Sequence, residues 1–151
     1  MKGLPRDSEW MSVALAVARD SSSGDIPIGA IVVRGNDLIA RAANDRAHGV
    51  DPTAHAEVLA LRAAGAALGT SRLDDCELFV TLEPCPMCAG AAVAARVERI
   101  IFGAWNEQYG ACGSVFDIPR DRRMTHRPEV VAGVKAEEAQ ALVRGYFEHL
   151  R

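Results

Sequence analysis

The chain switches repeatedly between two hydrophobic periods, and each switch marks an element. Trp10, Met11, Val13, Ala14, Leu15, Val17 and Ala18 recur at helical spacing, with Ser8 as candidate N-cap, until a break at Ser21-Ser22-Ser23-Gly24-Asp25. Ile28 to Val33 and Asp37 to Ala42 are extended runs flanking the turn signal Gly35-Asn36, which predicts a β-hairpin. The polar stretch Asn44 to Pro52 then delivers the chain to a second helix, from about Thr53 to Leu68, stopped near Gly69.

Cys76 to Leu82 is an apolar third strand that ends at Glu83-Pro84. A third helix runs from Pro86 to about Val97, with proline in the first turn, where its missing N–H costs little. Arg99 to Ala104 is a fourth strand, and strand, helix and strand within about thirty residues predict a right-handed crossover between parallel neighbours. A loop from Trp105 to Gly113 and an arginine-rich stretch lead to a short strand around Val130-Val131 and a last helix from about Glu137. This order predicts an α/β fold of three layers, with helices on both faces of a central mixed, mostly parallel sheet of about five strands. No repeat, low-complexity tract or linker interrupts it, so residues 1–151 read as one domain.

Composition adds limits. At 151 residues, 49% of them apolar, the chain can bury a full core without staples. A net charge of −3 excludes a polycation, so a nucleic-acid partner must be met by a local basic patch. No apolar run approaches the ~18 residues of a membrane span, and the opening Met1 to Asp7 leads into an amphipathic segment, so a soluble cytoplasmic protein is expected. In that compartment the four cysteines favour metal binding or burial over disulfides. Cys76, in an apolar strand, reads as a small hydrophobe, and Cys112, among glycines and small residues, as loop packing.

Cys85 and Cys88 form a Cys-x-x-Cys pair, and His55 supplies an imidazole upstream. Three such ligands suit zinc, and a three-ligand zinc site keeps a position open for water. Glu57 is then a carboxylate beside that water, placed to move protons rather than to bind metal. Both halves of the site fall at helix N-termini, where free amides and the helix dipole favour thiolates. Residues two apart on a helix face roughly 200° apart, so His55 and Glu57 converge only at an open helix end.

His55-Ala56-Glu57 followed by Pro84-Cys85-Pro86-Met87-Cys88 resembles the zinc-dependent cytidine and adenosine deaminases. Ile26 to Ala30, Asp51 to Glu57, Thr81 to Ala91, Phe102 to Ala104 and Gly110 to Ser114 look like the bacterial tRNA-specific adenosine deaminases, and the resemblance runs from about Trp10 to the C-terminus. It implies a cytidine-deaminase-like fold and a homodimer that converts wobble adenosine to inosine in the anticodon stem-loop of a tRNA, usually an arginine tRNA. It also implies one zinc per subunit on His55, Cys85 and Cys88, with Glu57 as proton shuttle. By the same resemblance Asn44 and the Ala56 amide orient the flipped base, and Ile26, Pro27 and Leu82 wall its pocket. Tyr146 and Phe147 fall where the family places aromatic residues near the anticodon loop. Arg120, Arg122, Arg123 and Arg127 supply local positive charge for a looped RNA.

The departure lies in one loop: this chain has Trp105-Asn106 where the family often carries an aspartate that contacts a ribose hydroxyl, and Gln108-Tyr109 where basic or small residues usually follow. Asn106 can hydrogen-bond there without charge. The main rival is a deaminase of a free nucleobase or nucleoside (guanine, cytosine or cytidine), with the same zinc residues and no RNA surface. A zinc-stabilised RNA-binding module without turnover ranks lower, because Glu57 is present.

Overall fold

The computed structural model describes residues 3–22 and 24–150; Met1, Lys2, Ser23 of the expected break, and Arg151 lie outside them. Helix α1 (Pro5–Arg19) begins before the expected Ser8. Pro5 sits in the first turn, where no N–H is needed, and the Asp7 carboxylate accepts the Leu4 N–H at 2.7 Å. Strands β1 (Gly29–Arg34) and β2 (Asp37–Ala43) form the hairpin, with a bulge that pairs Val32 with Ala40 and Val33 with Leu38.

A short helix α2 (Arg46–Gly49) occupies part of the stretch expected to be loop. Helix α3 (Ala56–Leu68) starts after His55 rather than at Thr53, and stops at Gly69, whose φ of 66° suits glycine. Strand β3 (Glu77–Leu82) leads to α4 (Pro86–Ala95), which ends before Val97 because Arg96 turns left-handed, φ 64°. Strand β4 (Arg99–Ala104), strand β5 (Glu129–Val131) and helix α5 (Ala136–His149) follow.

The five strands form one sheet in the order β2-β1-β3-β4-β5. β3, β4 and β5 are parallel, whereas β1 is antiparallel to both β2 and β3, so the sheet is mixed. "Mostly parallel" therefore overstates it: the hairpin strand, and not a second crossover, fills the place beside β3. Alternation along the strands divides the core in two. Ala30, Val32, Leu78, Val80, Ile100 and Phe102 face α3 and α4, while Ile31, Val33, Phe79, Ile101 and Val131 face α1 and α5. Each buried phenylalanine, Phe79 and Phe102, contributes roughly 1.5–3 kcal/mol on removal from water.

Two glycines allow close layers. A Cβ on Gly29 would lie 2.2 Å from the Ala14 carbonyl oxygen of α1, and one on Gly103 would lie 2.9 Å from the Ala139 Cβ of α5. No helix among the described residues is long and apolar enough to cross a membrane.

The two ends of the sheet differ in chemistry. At the amino ends of β3 and β4, buried Arg99 donates to Asp7 and Glu77, and Arg6 adds a second cation to Glu77 at 2.6 Å. At the carboxyl ends lie Leu82 and Ala104, the start of β1, the end of β2, and the N-termini of α3 and α4.

Candidate active site

His55 and Cys85 are the N-cap residues of α3 and α4, both with extended backbone, φ −73° ψ 152° and φ −72° ψ 173°. An N-cap side chain is not bound to the helical screw. This is how His55 escapes the 200° offset from Glu57, which sits inside the first turn of α3. Cys88, also in the first turn of α4, is fully buried.

The three ligand atoms lie within 4.8 Å of one another. His55 Nδ1 stands 3.6 Å from Cys85 Sγ and 3.4 Å from Cys88 Sγ. Bonds of about 2.3 Å to sulfur and 2.0–2.1 Å to nitrogen at a tetrahedral angle place such atoms about 3.5 Å apart, so this donor set fits zinc in both distance and type. A hydrogen bond from Cys88, with His55 adding to it, lowers the Cys85 thiol to about 4, which favours the thiolate a metal requires. The same thiol pair and burial raise Cys88, and the bond to Cys85 raises His55. Burial pushes the Glu57 carboxyl up to about 7.

These residues open on a cavity of about 370 Å3 lined by His55, Glu57, Cys85, Asn44, Leu82 and Ile26, among others. Its volume lies within the range of small-molecule sites. Asn44 is buried, and its Oδ1 accepts the Ala56 N–H at 2.8 Å, satisfying a free amide at the start of α3. The Ala56 amide is thus engaged, and Asn44 retains its Nδ2 as a donor. Pro27 is half-buried and lies outside the cavity lining.

Asn106 also lines the cavity, but its Oδ1 accepts the N–H groups of Gln108 and Tyr109 at 3.2 and 3.1 Å, closing the turn that follows. A second cavity of about 600 Å3 shares Ile26, Leu82, Asn106 and Tyr109 with the first and continues to α5. Phe147 lines this second cavity, and Tyr146 packs edge-on to Phe147 at 5.4 Å without lining it.

The arginine stretch does not gather at the site. Arg120 pairs with Asp117 and reaches the Cys112 carbonyl, and Arg123 pairs with Asp121. His126 then bonds the Val97 carbonyl, before β4, so the stretch runs toward the opposite end of the sheet. Cys76 and Cys112 are free and fully buried, with thiols raised by burial.

Sequence reasoning assigned no role to Arg46, Ile28, Tyr109 and Glu83, all of which line the first cavity. Glu83 stands inside the cysteine motif, a signal of position though not of role. Tyr109 is an exposed aromatic residue beside the Asn106 departure.

Residues 4–104 match the profile described as the cytidine and deoxycytidylate deaminase zinc-binding region. The chain is similar to the tRNA-specific adenosine deaminase of Bacillus subtilis (strain 168), 42% identical over 149 residues covering 98% of this chain and 92% of that protein. It is 46% identical over 143 residues, 93% of this chain, to the tRNA(Ile)-lysidine synthase of Deinococcus deserti, of which it spans 27%. A solved structure from work on A-to-I editing by tRNA:A34 deaminases superposes with a TM-score of 0.85 at 38% identity, covering 89% of this chain and 99% of that one. The guanine deaminase from Nitrosomonas europaea gives 0.76 at 30% identity, covering 97% and 86%.

Proposed function

This chain belongs to the cytidine and deoxycytidylate deaminase zinc-binding family, and on that premise we propose that it deaminates adenosine to inosine at the wobble position of a tRNA anticodon. The observation that carries the reading is the meeting of two helix N-termini. They bring His55 Nδ1 to 3.4–3.6 Å from two thiols, beside a buried Glu57, in a chain aligned along nearly its whole length with tRNA-specific adenosine deaminases.

His55, Cys85 and Cys88 hold the zinc, and when bound it supplies water with a pKa lowered toward ~7 as a nucleophile at neutral pH. Glu57 takes a proton on a carboxylate oxygen and returns it to the departing amino group, so that adenosine and water become inosine and ammonia. Its burial in the cavity wall keeps its proton affinity near that of the groups it serves. Asn44 Nδ2 donates to an acceptor on the purine edge, while its Oδ1, fixed on the Ala56 amide, prevents the side chain from flipping. Ile26 and Leu82 exclude water from the base, and Asn106 lines the mouth.

A free base needs only the first cavity. The second, continuing over Tyr109 to Phe147, provides room for nucleotides flanking the target, and this favours RNA over the guanine deaminase reading that the Nitrosomonas europaea structure supports. We assign an arginine tRNA as the substrate, a homodimer as the working form and the cytoplasm as its location. Helix α4 supports the homodimer: its exposed positions include Met87 and Ala94, and a Cβ on Gly90 would meet nothing within 4 Å.

The test compares the zinc-loaded protein on an arginine anticodon stem-loop RNA with free adenosine, cytidine, cytosine and guanine under one set of conditions. Ammonia release from the RNA alone is expected. Turnover of a free base or nucleoside alone would transfer the chemistry to the rival substrate class.

A further inference from the structure

We propose that Glu83 is a positioning residue for substrate binding: its carboxylate ties the metal-binding turn to the loop 105–114 and sets where Asn106 and Tyr109 stand against the cavity. The inference rests on the deaminase reading above and extends it to a residue two positions before Cys85.

Glu83 leaves the sheet at the end of β3, where its N–H donates to the Ala104 carbonyl at 2.8 Å, and its side chain is 2% exposed. The hydrogen bonds that the carboxylate accepts come from the backbone of one loop. Oε1 accepts the Asn106 N–H at 3.0 Å, and Oε2 accepts the N–H groups of Cys112 and Ser114 at 2.9 and 3.1 Å. The next residue continues the seam, since the Pro84 carbonyl accepts the Ala111 N–H at 2.8 Å. Both ends of the loop are therefore held by the two residues that precede the metal-binding Cys85.

The loop closes tightly over the carboxylate. A Cβ on Gly110 would lie 2.2 Å from Glu83 Oε1 and 2.2 Å from Ser114 Oγ, so only glycine fits beneath the turn. Ser114 Oγ in turn donates to the Asn106 carbonyl at 2.8 Å, and the Gly110 N–H donates to the same carbonyl at 2.8 Å. Trp105 is fixed at the entry by an edge contact with Phe102 at 5.0 Å. What the loop then presents to both cavities is Asn106 and Tyr109, with Trp105, Glu107 and Gln108 lining the second cavity alone.

An amide cannot replace this carboxylate. Glutamine has one acceptor oxygen and one NH2 donor, so at least one of the two sides would set a donor against a backbone N–H. The loop would loosen from Glu83 while the ligands on α3 and α4 stayed in place. Binding would weaken, with chemistry on the bound substrate changed little.

The experiment measures kcat and KM on the anticodon stem-loop RNA, zinc per chain, and amide hydrogen exchange across residues 105–116, for wild type, Glu83→Gln, Gly110→Ala and the Glu83→Ala/Gly110→Ala pair. Expected for Glu83→Gln are one zinc per chain, faster exchange at Asn106, Cys112 and Ser114, and a KM raised at least tenfold with kcat within about threefold. Gly110→Ala, which pushes on the same carboxylate from the loop side, should raise KM in the same way. Adding it to Glu83→Ala should cost less than Gly110→Ala costs alone, because the carboxylate, one of its two clash partners, has gone and only Ser114 Oγ remains. If either variant fails to fold, the other carries the same test. An unchanged KM in a variant with faster loop exchange overturns the proposal, as does loss of zinc with a collapsed kcat at constant KM. Wild-type protein inactive on RNA would instead remove the substrate reading and leave the exchange result to judge the seam.

Discussion

Replacing Arg99 with methionine should cost about 3 kcal/mol of stability and leave the chemistry of the folded protein intact. Arg99 Nη1 and Nη2 donate to the Asp7 carboxylate at 3.1 and 2.7 Å, and Nη1 also donates to Glu77. Asp7, Glu77 and Arg99 are all at most 5% exposed, so the substitution strands carboxylates in the interior. Removing one partner of a buried pair typically costs 3–5 kcal/mol; Arg6 remains on Glu77, so the lower end, about 3 kcal/mol, applies. For a chain of this length that corresponds to a melting temperature lower by about 6–12 °C at pH 7.

The pH dependence provides a second check. Burial pushes the Asp7 carboxyl up, but the hydrogen bonds from Arg99 and the Leu4 N–H, with the charges of Arg99 and Arg6, outweigh it and hold Asp7 below 3.8. Its contribution is therefore fully present above the unfolded value and lost as pH falls through the folded one. Without Arg99, burial dominates and Asp7 takes up a proton more readily, so the gap between variant and wild type should narrow toward acid. Circular dichroism melts at pH 7 and 4.5 measure both. Arg99 opens β4, and the site lies at its other end, five residues or roughly 17 Å along the strand, so kcat should stay within about twofold. A loss under about 2 °C at pH 7, or a gap that does not narrow with acid, would refute the account of this network.

Three further outcomes concern the site. Glu57→Gln should keep one zinc per chain by elemental analysis and lose about 10²–10⁴-fold in kcat; wild-type turnover would remove Glu57 from proton transfer. Cys85→Ser should lose metal and melt at lower temperature, and full zinc occupancy in that protein would contradict its place as a ligand. Because burial raises the Glu57 carboxyl, a bound zinc would draw it down again and a base must be ionised, kcat/KM should rise from acid pH to a plateau at or below about 7; a profile flat from pH 5 to 8 would contradict that role.

The sequence carried most of the elements, because the cues that end them are local. Gly69 stops α3 and Pro86 opens α4, where the motif placed them, and the β4 boundaries at Arg99 and Ala104 follow from an unbroken apolar run. The start of α1 was misread from Ser8 because Pro5 and the Asp7 bond to the Leu4 amide act together, and neither resembles an ordinary cap. His55 and Glu57 looked ill-matched by helical angle until His55 proved to stand outside the helix as its N-cap. Other features left no pattern to read. Asn44 spends its oxygen on the Ala56 amide, and Glu83 binds N–H groups 23 to 31 residues away, since a backbone donor carries no side-chain signature. Likewise, spacing placed Arg120 to Arg127 in one run but could not show that it leads away from the cavity.

The most direct test of the central claim is to incubate the zinc-loaded protein with unmodified bulk tRNA and read inosine, as A-to-G changes, at every adenosine by sequencing. Conversion confined to the wobble adenosine of an arginine tRNA, and none with Glu57→Gln, is the expected result. Conversion spread over many adenosines, or none in tRNA while free guanine is consumed, would contradict that claim.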